Sequence, residues 1–228
     1  FYMFEAFRRQ FSTDLAIDAA ADASQPPTDL FVDAAADTKP SDDASVGAPS
    51  LGAAAIAQRI YSTTPATGTL TTTAVTTQSG SVLLASAARG SWSAAPDAPT
   101  DSFANAFAIV GATHAYAAWP TSATGLYRAL DATGGAGHTF SLTWGDIGST
   151  GDEISLSVVE VRGATAIEDE SWVERSAAST ITSAAVTTSG PAILVAWWWG
   201  SGGVRPKDSL HVAVPGDGFT IVPEATGL

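Results

Sequence analysis

The sequence contains no cysteine, and this absence excludes disulfide scaffolds, thiolate zinc sites and cysteine nucleophiles. Charged residues make up only 14% of the 228 residues, compared with about 25% in typical soluble domains. Lys and Arg number 10 against 23 Asp and Glu, so the net charge is −13. Because phosphate groups are bound by cationic side chains, this balance argues against nucleic-acid binding and against docking on anionic membranes. No apolar run reaches the roughly 18 residues of a spanning helix, so the sequence predicts no membrane insertion.

Sequence signatures of catalysis are also missing. The chain has no G-x-S-x-G nucleophile elbow and no phosphate-binding loop. Its three histidines, His114, His138 and His211, are far apart and lack metal-ligand spacing, so they are interpreted as structural or surface residues. We therefore predict a protein that is not an enzyme, with no catalytic residue and no required cofactor.

Composition changes near residue 50 and divides the chain in two. Residues 1–50 are predicted to form an arm and a tether rich in Ala, Asp and Pro, and residues 51–228 a globular domain. Within the tether, the segment 13–22 recurs as 28–37 with a period of 15 residues. Its like charges at i,i+4 and the intervening prolines oppose a helix. The prediction for this part is a semi-extended, self-repelling tether.

The first twelve residues carry aromatic side chains at helical spacing. The predicted partner-binding residues are Phe1, Phe4, Phe7 and Phe11. Their spacing predicts a short helix with one aromatic face. A helix this short is marginal alone in water. We therefore expect the face to dock either on the chain's own domain or on a neighbouring subunit.

From residue 68 onward, short apolar or alternating runs are separated by Gly, Pro, Asp and Ser. The candidate strands are 69–77, 81–88, 106–111, 113–119, 124–130, 138–144, 153–162, 180–188, 191–199, 209–214 and 218–222. Within the globular domain, only residues 54–60 resemble a helix. Many short strands with regular turn signals predict an all-β fold, an antiparallel β-sandwich of the jelly-roll kind.

Two segments of this region resemble each other. Residues 74–85 and 185–196 each predict a strand, a Ser-Gly turn and a buried strand. Similar hairpins can converge on similar sequences. Alternatively, the repeat indicates a pseudo-twofold sandwich whose second half stops early, which leaves an open sheet edge for a partner strand.

Acidic residues provide one candidate ligand site. Glu168, Asp169 and Glu170 are consecutive in a predicted loop, where they could hold calcium or simply face solvent. Together with Asp152 and Glu153 they also allow glycosidic hydrolysis as an alternative.

A further glutamate, Glu160, lies on the otherwise apolar face of a predicted strand. Either a bulge near Val158 changes which residues of the strand face the core, or Arg162 pairs with a carboxylate nearby.

Aromatic residues provide the other candidate ligand site. The predicted ligand-binding set is Tyr116, Trp119, Tyr127, Trp172 and Trp198. Exposed aromatic rings stack on sugars or on protein partners, whereas buried rings contribute only to a core. The set therefore indicates a possible glycan site, with a subunit interface and a plain core as alternatives.

Two resemblances bear on location and fold. The stretch from Asp14 to Ser50 resembles the Ala/Asp/Pro-rich spacers of surface lipoproteins in high-GC Gram-negative bacteria, although it lacks their lipid-bearing cysteine. This resemblance implies an extracellular or cell-surface location. Residues 68–222 resemble secreted bacterial or phage-associated β-sandwich modules of the jelly-roll or concanavalin-like class, through the strand pattern and the AVTT–SG hairpins. No catalytic residue is implied.

Three functions follow from these features. The first is a structural subunit of an extracellular fibre or surface assembly, which associates with itself or with a neighbouring surface protein through the arm. The second is a surface-tethered module for glycan binding and adhesion. The third is a jelly-roll glycan hydrolase or a virion component.

Overall fold

The computed structural model describes residues 2–10, 48–59, 68–89, 98–117, 119–144, 154–174, 182–200 and 220–226. In these ranges the regular secondary structure consists of β-strands alone, and all strand pairs are antiparallel. The all-β prediction is confirmed at this level. Within the same ranges there is no helix that is long and apolar enough to cross a membrane.

The strands of the described residues form four sheets. They are β1 (Tyr2–Gln10), β2 (Ser50–Arg59), β3 (Gly68–Thr71), β4 (Val75–Thr76), β5 (Ser81–Arg89), β6 (Thr100–Asp101), β7 (Ala108–Tyr116), β8 (Trp119–Ala132), β9 (Ala136–His138), β10 (Phe140–Trp144), β11 (Ile154–Arg162), β12 (Ala192–Gly200) and β13 (Thr220–Thr226). The largest sheet has the order β2-β11-β5-β8-β7. Two three-stranded sheets have the orders β12-β1-β13 and β3-β10-β6, and β4 pairs with β9.

The five-stranded sheet is packed on both faces, because apolar residues occupy both faces of its central strands. On β11, Leu156 and Val158 belong to the main core, which also holds Phe140 of β10. The neighbouring position Val159 lies on the opposite face, in a second cluster with Val161. Alternate residues of a strand point to opposite faces, so a continuous apolar run fills two cores. Fully burying one such side chain contributes roughly 1.5 to 3 kcal/mol.

The second cluster joins the five-stranded sheet to β12. Half-buried Ile193, Val195 and Trp197, at alternate positions of β12, pack against Val82 and Val159. These three positions share one face of β12. The three-stranded sheet is therefore fixed to the body of the protein through β12.

Two helix predictions are wrong. Residues 2–10 form β1 instead of an aromatic helix, and residues 54–59 lie within β2. In both cases pairing with neighbouring strands overrides the local pattern, since β1 pairs on both edges and β2 pairs along β11. The predicted strand 180–188 is irregular over its described part, 182–188, and the predicted strand 209–214 lies outside the described residues.

The two similar hairpin sequences fold differently. In the first, β4 and β5 flank a turn at Ser79-Gly80, where the φ of Gly80 is +82°. In the second, a bend at 189–191 leads into β12, but the segment before it forms no strand. The resemblance therefore extends to the turn and the following strand only.

Candidate functional site

The N-terminal strand occupies the centre of a three-stranded sheet. All nine residues of β1 pair with β12, and the register places Ala6 opposite Ala196. On its other edge, β1 pairs with β13, and the same Ala6 lies opposite Ile221. The register with β13 shifts between Phe4 and Ala6. The earliest segment of the chain thus joins two strands from its last quarter.

The two strands that hold β1 are themselves attached to the body. β12 packs its inner face on the five-stranded sheet, and β13 contacts β2. Among the described strands, β1 makes extensive contact only with β12 and β13. We call the space that β1 fills between them the strand slot. It is a site for an extended segment that offers backbone N–H and C=O groups on both edges.

Two of the four predicted partner-binding residues lie in the part of the chain that the structure describes. Phe4 and Phe7 belong to β1, whereas Phe1 and Phe11 lie outside the described residues. Positions 4 and 7 fall on opposite faces of a strand, so the single aromatic face expected from helical spacing is wrong. The aromatic content could have indicated a strand, because Phe and Tyr are enriched in strands.

Three of the predicted ligand-binding residues gather at one end of the β7–β8 hairpin. The register places the backbone of half-buried Tyr116 opposite that of Trp119. The structure does not describe the side chain of Trp119. Trp172 stacks on His114, with ring centroids 4.4 Å apart and an interplanar angle of 3°. The indole remains 39% exposed. We call the positions Tyr116, Trp119, Trp172 and His114 the hairpin aromatic cluster; among the described side chains, its ring contact is the stack of Trp172 on His114.

An extended segment positions Trp172 against β7. Glu170 lies over Gly111, where an added Cβ would be 1.9 Å from Oε1 of the glutamate. Two residues after the tryptophan, the carboxylate of Glu174 accepts the amide N–H of Ala117, at 3.1 and 3.3 Å. Every second residue of 170–174 thus contacts β7 or the turn after it. The indole is therefore held between two contacts of its own segment.

The other two aromatic predictions do not join this cluster. Tyr127 is only 3% exposed and belongs to the main core, so it presents no surface to a ligand. Its ring instead covers Gly125, from which an added Cβ would be 3.0 Å away. Trp198 lies on β12, and its side chain is outside the described residues. Burial therefore corrects the prediction for Tyr127.

The three consecutive acids turn towards different partners. Glu168 accepts the N–H and the hydroxyl of Ser189, both at 2.7 Å, and these bonds lower the pKa of its carboxyl. Asp169 accepts the N–H groups of Thr187 and Glu170, both at 2.8 Å. In the described ranges no three His, Cys, Asp or Glu side chains converge as metal ligands. The calcium hypothesis for this loop gains no support.

Glu160 is a buried charge with a full set of donors. Its side chain is 1% exposed. One oxygen, Oε1, accepts the N–H of Gln78 at 2.5 Å and the hydroxyl of Ser81 at 2.9 Å. The other, Oε2, accepts the N–H of Ala53 at 2.8 Å and two guanidinium N–H groups of Arg162 at 3.0 and 3.1 Å. The five bonds account for a carboxylate on an apolar face.

Burial of Glu160 acts to raise its pKa, but the bonds from Arg162, Ala53, Gln78 and Ser81 act to lower it, and the net direction is down. The prediction that Arg162 pairs with a nearby carboxylate is confirmed. The predicted bulge in β11 near Val158 is wrong, because β11 pairs with β5 without a register shift from Ile154 to Val161. The extra residue lies on β2 instead, where the register with β11 shifts between Val159 and Val161.

The bulge explains how Glu160 fits beside β2. Val159 pairs with Ala54 and Val161 with Leu51, so Gly52 and Ala53 together lie opposite Glu160. A Cβ on Gly52 would be 2.0 Å from Oε2, which means that only glycine leaves room for the carboxylate. The sequence does not reveal this, because three of the four partners of Glu160, namely Ala53, Gln78 and Ser81, are 79 to 107 residues away along the chain.

His138 is the centre of a second buried polar network. Its Nδ1 lies 2.7 Å from Oγ1 of Thr77, and its Nε2 lies 3.1 Å from Oδ2 of Asp101. The Nε2 contact is outside hydrogen-bond geometry, so it is an electrostatic contact only. Asp101 accepts the N–H groups of Phe103 and Asn105, both at 3.0 Å.

Hydroxyl, imidazole and carboxylate in a row resemble the parts of a nucleophilic site. However, the imidazole is fully buried, and Thr77 is only 6% exposed. The rings of Phe103 and Phe140 flank the imidazole at centroid distances of 4.7 and 4.3 Å. The network therefore ties β4, β6 and β9 together, in agreement with the interpretation of His138 as structural.

No family model matches this chain, and no curated protein or solved structure matches it either.

Proposed function

We propose that this chain is a non-catalytic structural subunit of an extracellular fibre or surface assembly, and that its N-terminal strand contacts a neighbouring subunit. The observation that supports this proposal is the position of β1 at the centre of the β12-β1-β13 sheet. Residues 11–49 separate β1 from β2, the next described strand. A strand on a long connection is suited to pairing beyond its own domain.

The proposal includes a β-sandwich architecture for the body. Its support is the packing of β12 on one face of the five-stranded sheet and the main core on the other. A sheet covered on both faces leaves its strand edges as the sites for association. The extracellular location is proposed from the Ala/Asp/Pro-rich spacer alone.

Ala6→Pro tests the role of β1 in assembly. Ala6 pairs on both edges of β1, and proline removes its amide N–H from the middle of the strand. We expect Ala6→Pro to abolish the large assemblies that the unmodified chain forms at about 1 mM, as seen by negative-stain electron microscopy. Ala6→Ser keeps the N–H and is the matched control, which should assemble as the unmodified chain does. If Ala6→Pro assembles normally, the arm is not the joint.

A second candidate function, glycan binding and adhesion, is favoured by the hairpin aromatic cluster. Trp172 offers an indole that is 39% exposed and held by its stack on His114. Aromatic faces of this kind bind sugar rings. We expect Trp172→Ala to reduce signals on a glycan array about tenfold or more, equivalent to about 1.4 kcal/mol.

Val186→Ala is the control for the glycan experiment, because Val186 is similarly exposed, at 36%. This variant should leave the array signals unchanged. Thermal unfolding of both variants separates a lost ligand contact from a destabilised fold. Equal array signals for Trp172→Ala and the unmodified chain would exclude this tryptophan as a sugar platform.

A further inference from the structure

We propose that the neighbouring subunit is a second copy of this chain, and that β1 of one copy fills the strand slot of the next. This inference rests on the proposed function and names its partner. It concerns the same sheet, in which β1 pairs with β12 along nine residues and with β13 along its first part.

The pairing that holds β1 is transferable between copies. A β-ladder is made of backbone groups, and β1 of a second copy offers the same groups in the same register. The acceptor strands stay in place when β1 leaves, because β12 packs on Val82 and Val159 and because β13 contacts β2. Among the described strands, β1 loses extensive contacts only with these two. Exchange therefore breaks and remakes the same interface.

An empty slot favours recapture of a strand. Without β1, both β12 and β13 present an edge whose described pairing partner is β1 alone. Unpaired edges of this kind are templates for another strand. The occupant that matches both edges in this structure is β1 itself, so a second copy is the partner whose fit is already demonstrated residue by residue.

The connection is long enough for exchange. Residues 11–49 comprise 39 residues, which extend to roughly 130 Å at most. A compact domain of the size of residues 51–228 is roughly 40 Å across. The arm of one copy can therefore reach the slot of an adjacent copy while its own body remains folded.

The concentration of the chain decides whether β1 fills its own strand slot or the slot of another copy. A strand joined to its domain by a connection of 39 residues has an effective concentration near its own slot on the order of 1 mM. Exchange between copies therefore becomes substantial when the local concentration of the chain approaches about 1 mM, as it does where copies are crowded on a surface. In dilute solution the closed, self-paired arrangement dominates.

Cysteine cross-linking can measure this exchange, because the chain has no cysteine of its own. Ala6 and Ala196 are directly paired, and such antiparallel residues have Cα atoms about 4.5 to 5.5 Å apart, within disulfide range. The experiment mixes full-length chains carrying Ala6→Cys with chains carrying Ala196→Cys. The mixture is unfolded, refolded together at about 10 µM and at about 1 mM, oxidised, and separated on a non-reducing gel.

Two further variants control the cross-link. Ala192→Cys replaces Ala196→Cys in the mismatched control, because Ala192 pairs with Gln10 and lies four residues out of register with Ala6. This pair should not cross-link. Met3→Cys with Ala225→Cys repeats the test on the other edge of β1, where these two residues are paired, in case the first pair does not fold.

In an equal mixture, the expected result is a disulfide between the two kinds of chain that includes about a quarter of the molecules at 1 mM and at least tenfold fewer at 10 µM, because half of the strands exchange at 1 mM and half of those enter a chain of the other kind. No cross-link above the mismatched control for either pair at 1 mM would overturn exchange between copies. If assemblies still form in that case, the proposed function stands with another partner. Cross-linked dimers without larger assemblies would support exchange and contradict the fibre.

Discussion

Glu160→Gln is expected to lower the free energy of unfolding by about 3 kcal/mol. The carboxylate of Glu160 accepts five hydrogen bonds, including those from the amide N–H groups of Ala53 and Gln78. An amide keeps one acceptor oxygen and places an NH₂ group against donors. At least one buried N–H then loses its partner, which costs about 1 to 3 kcal/mol, and the buried charge pair is lost as well.

The matched control is Glu168→Gln. Glu168 also accepts two hydrogen bonds, both from Ser189, but it is exposed. Water replaces lost bonds at such a position, so we expect a much smaller change than for Glu160→Gln. Urea denaturation of both variants provides the comparison. Equal losses in the two variants would contradict the assignment of Glu160 as a buried structural charge.

The pH dependence of unfolding is a second readout for Glu160. The folded-state pKa of its carboxyl lies below its ordinary value of 4.5. Its stabilising contribution is therefore complete above pH 4.5 and is lost as the pH falls through the folded-state value. We expect the unmodified chain to lose stability on acidification below pH 4.5, and Glu160→Gln to show a shallower loss. Parallel curves for the two proteins would count against the lowered pKa.

Three strands were predictable because their apolar runs are bounded by turn residues. The predictions 81–88, 153–162 and 191–199 match β5, β11 and β12 to within one residue at each end. One of the two strands that the sequence misrepresents, β2, has a weak intrinsic preference for strand. Residues 54–59 are rich in alanine, which favours helix, yet the pairing of β2 with β11 decides their state.

The candidate sites were predictable only where their members are close in sequence. Tyr116 and Trp119 are recognisable as neighbours, since only two residues separate them in the sequence. The stack of Trp172 on His114 joins residues 58 positions apart, and no local pattern specifies it. The strand slot is a stronger case, because β1 and β13 come from opposite ends of the chain. Sequence periodicity describes one element and contains no information about which strands pair.

Gly52→Ala is expected to lower the free energy of unfolding by about 2 kcal/mol through steric conflict with Glu160. The new Cβ would lie 2.0 Å from Oε2 of Glu160 and 2.8 Å from Nε of Arg162. The carboxylate must move, and its bond from the N–H of Ala53 is lost with that movement. Urea denaturation measures the effect.

The same substitution should change sign once the carboxylate is removed. In a Glu160→Ala background the carboxylate no longer conflicts with the added methyl group, and the Arg162 side chain, which is 40% exposed and no longer bound to Glu160, can move aside. Alanine also loses less conformational freedom than glycine on folding, by about 0.5 to 1 kcal/mol. Gly52→Ala should then be neutral or stabilising, which gives a coupling energy of about 2 to 3 kcal/mol in a double-mutant cycle. Gly137→Ala is the control: Gly137 has a φ of +76° and open space around it, so its cost is conformational and should be the same in both backgrounds. If Gly52→Ala lowers the free energy of unfolding equally with and without Glu160, then making room for the carboxylate is not the role of the bulge in β2.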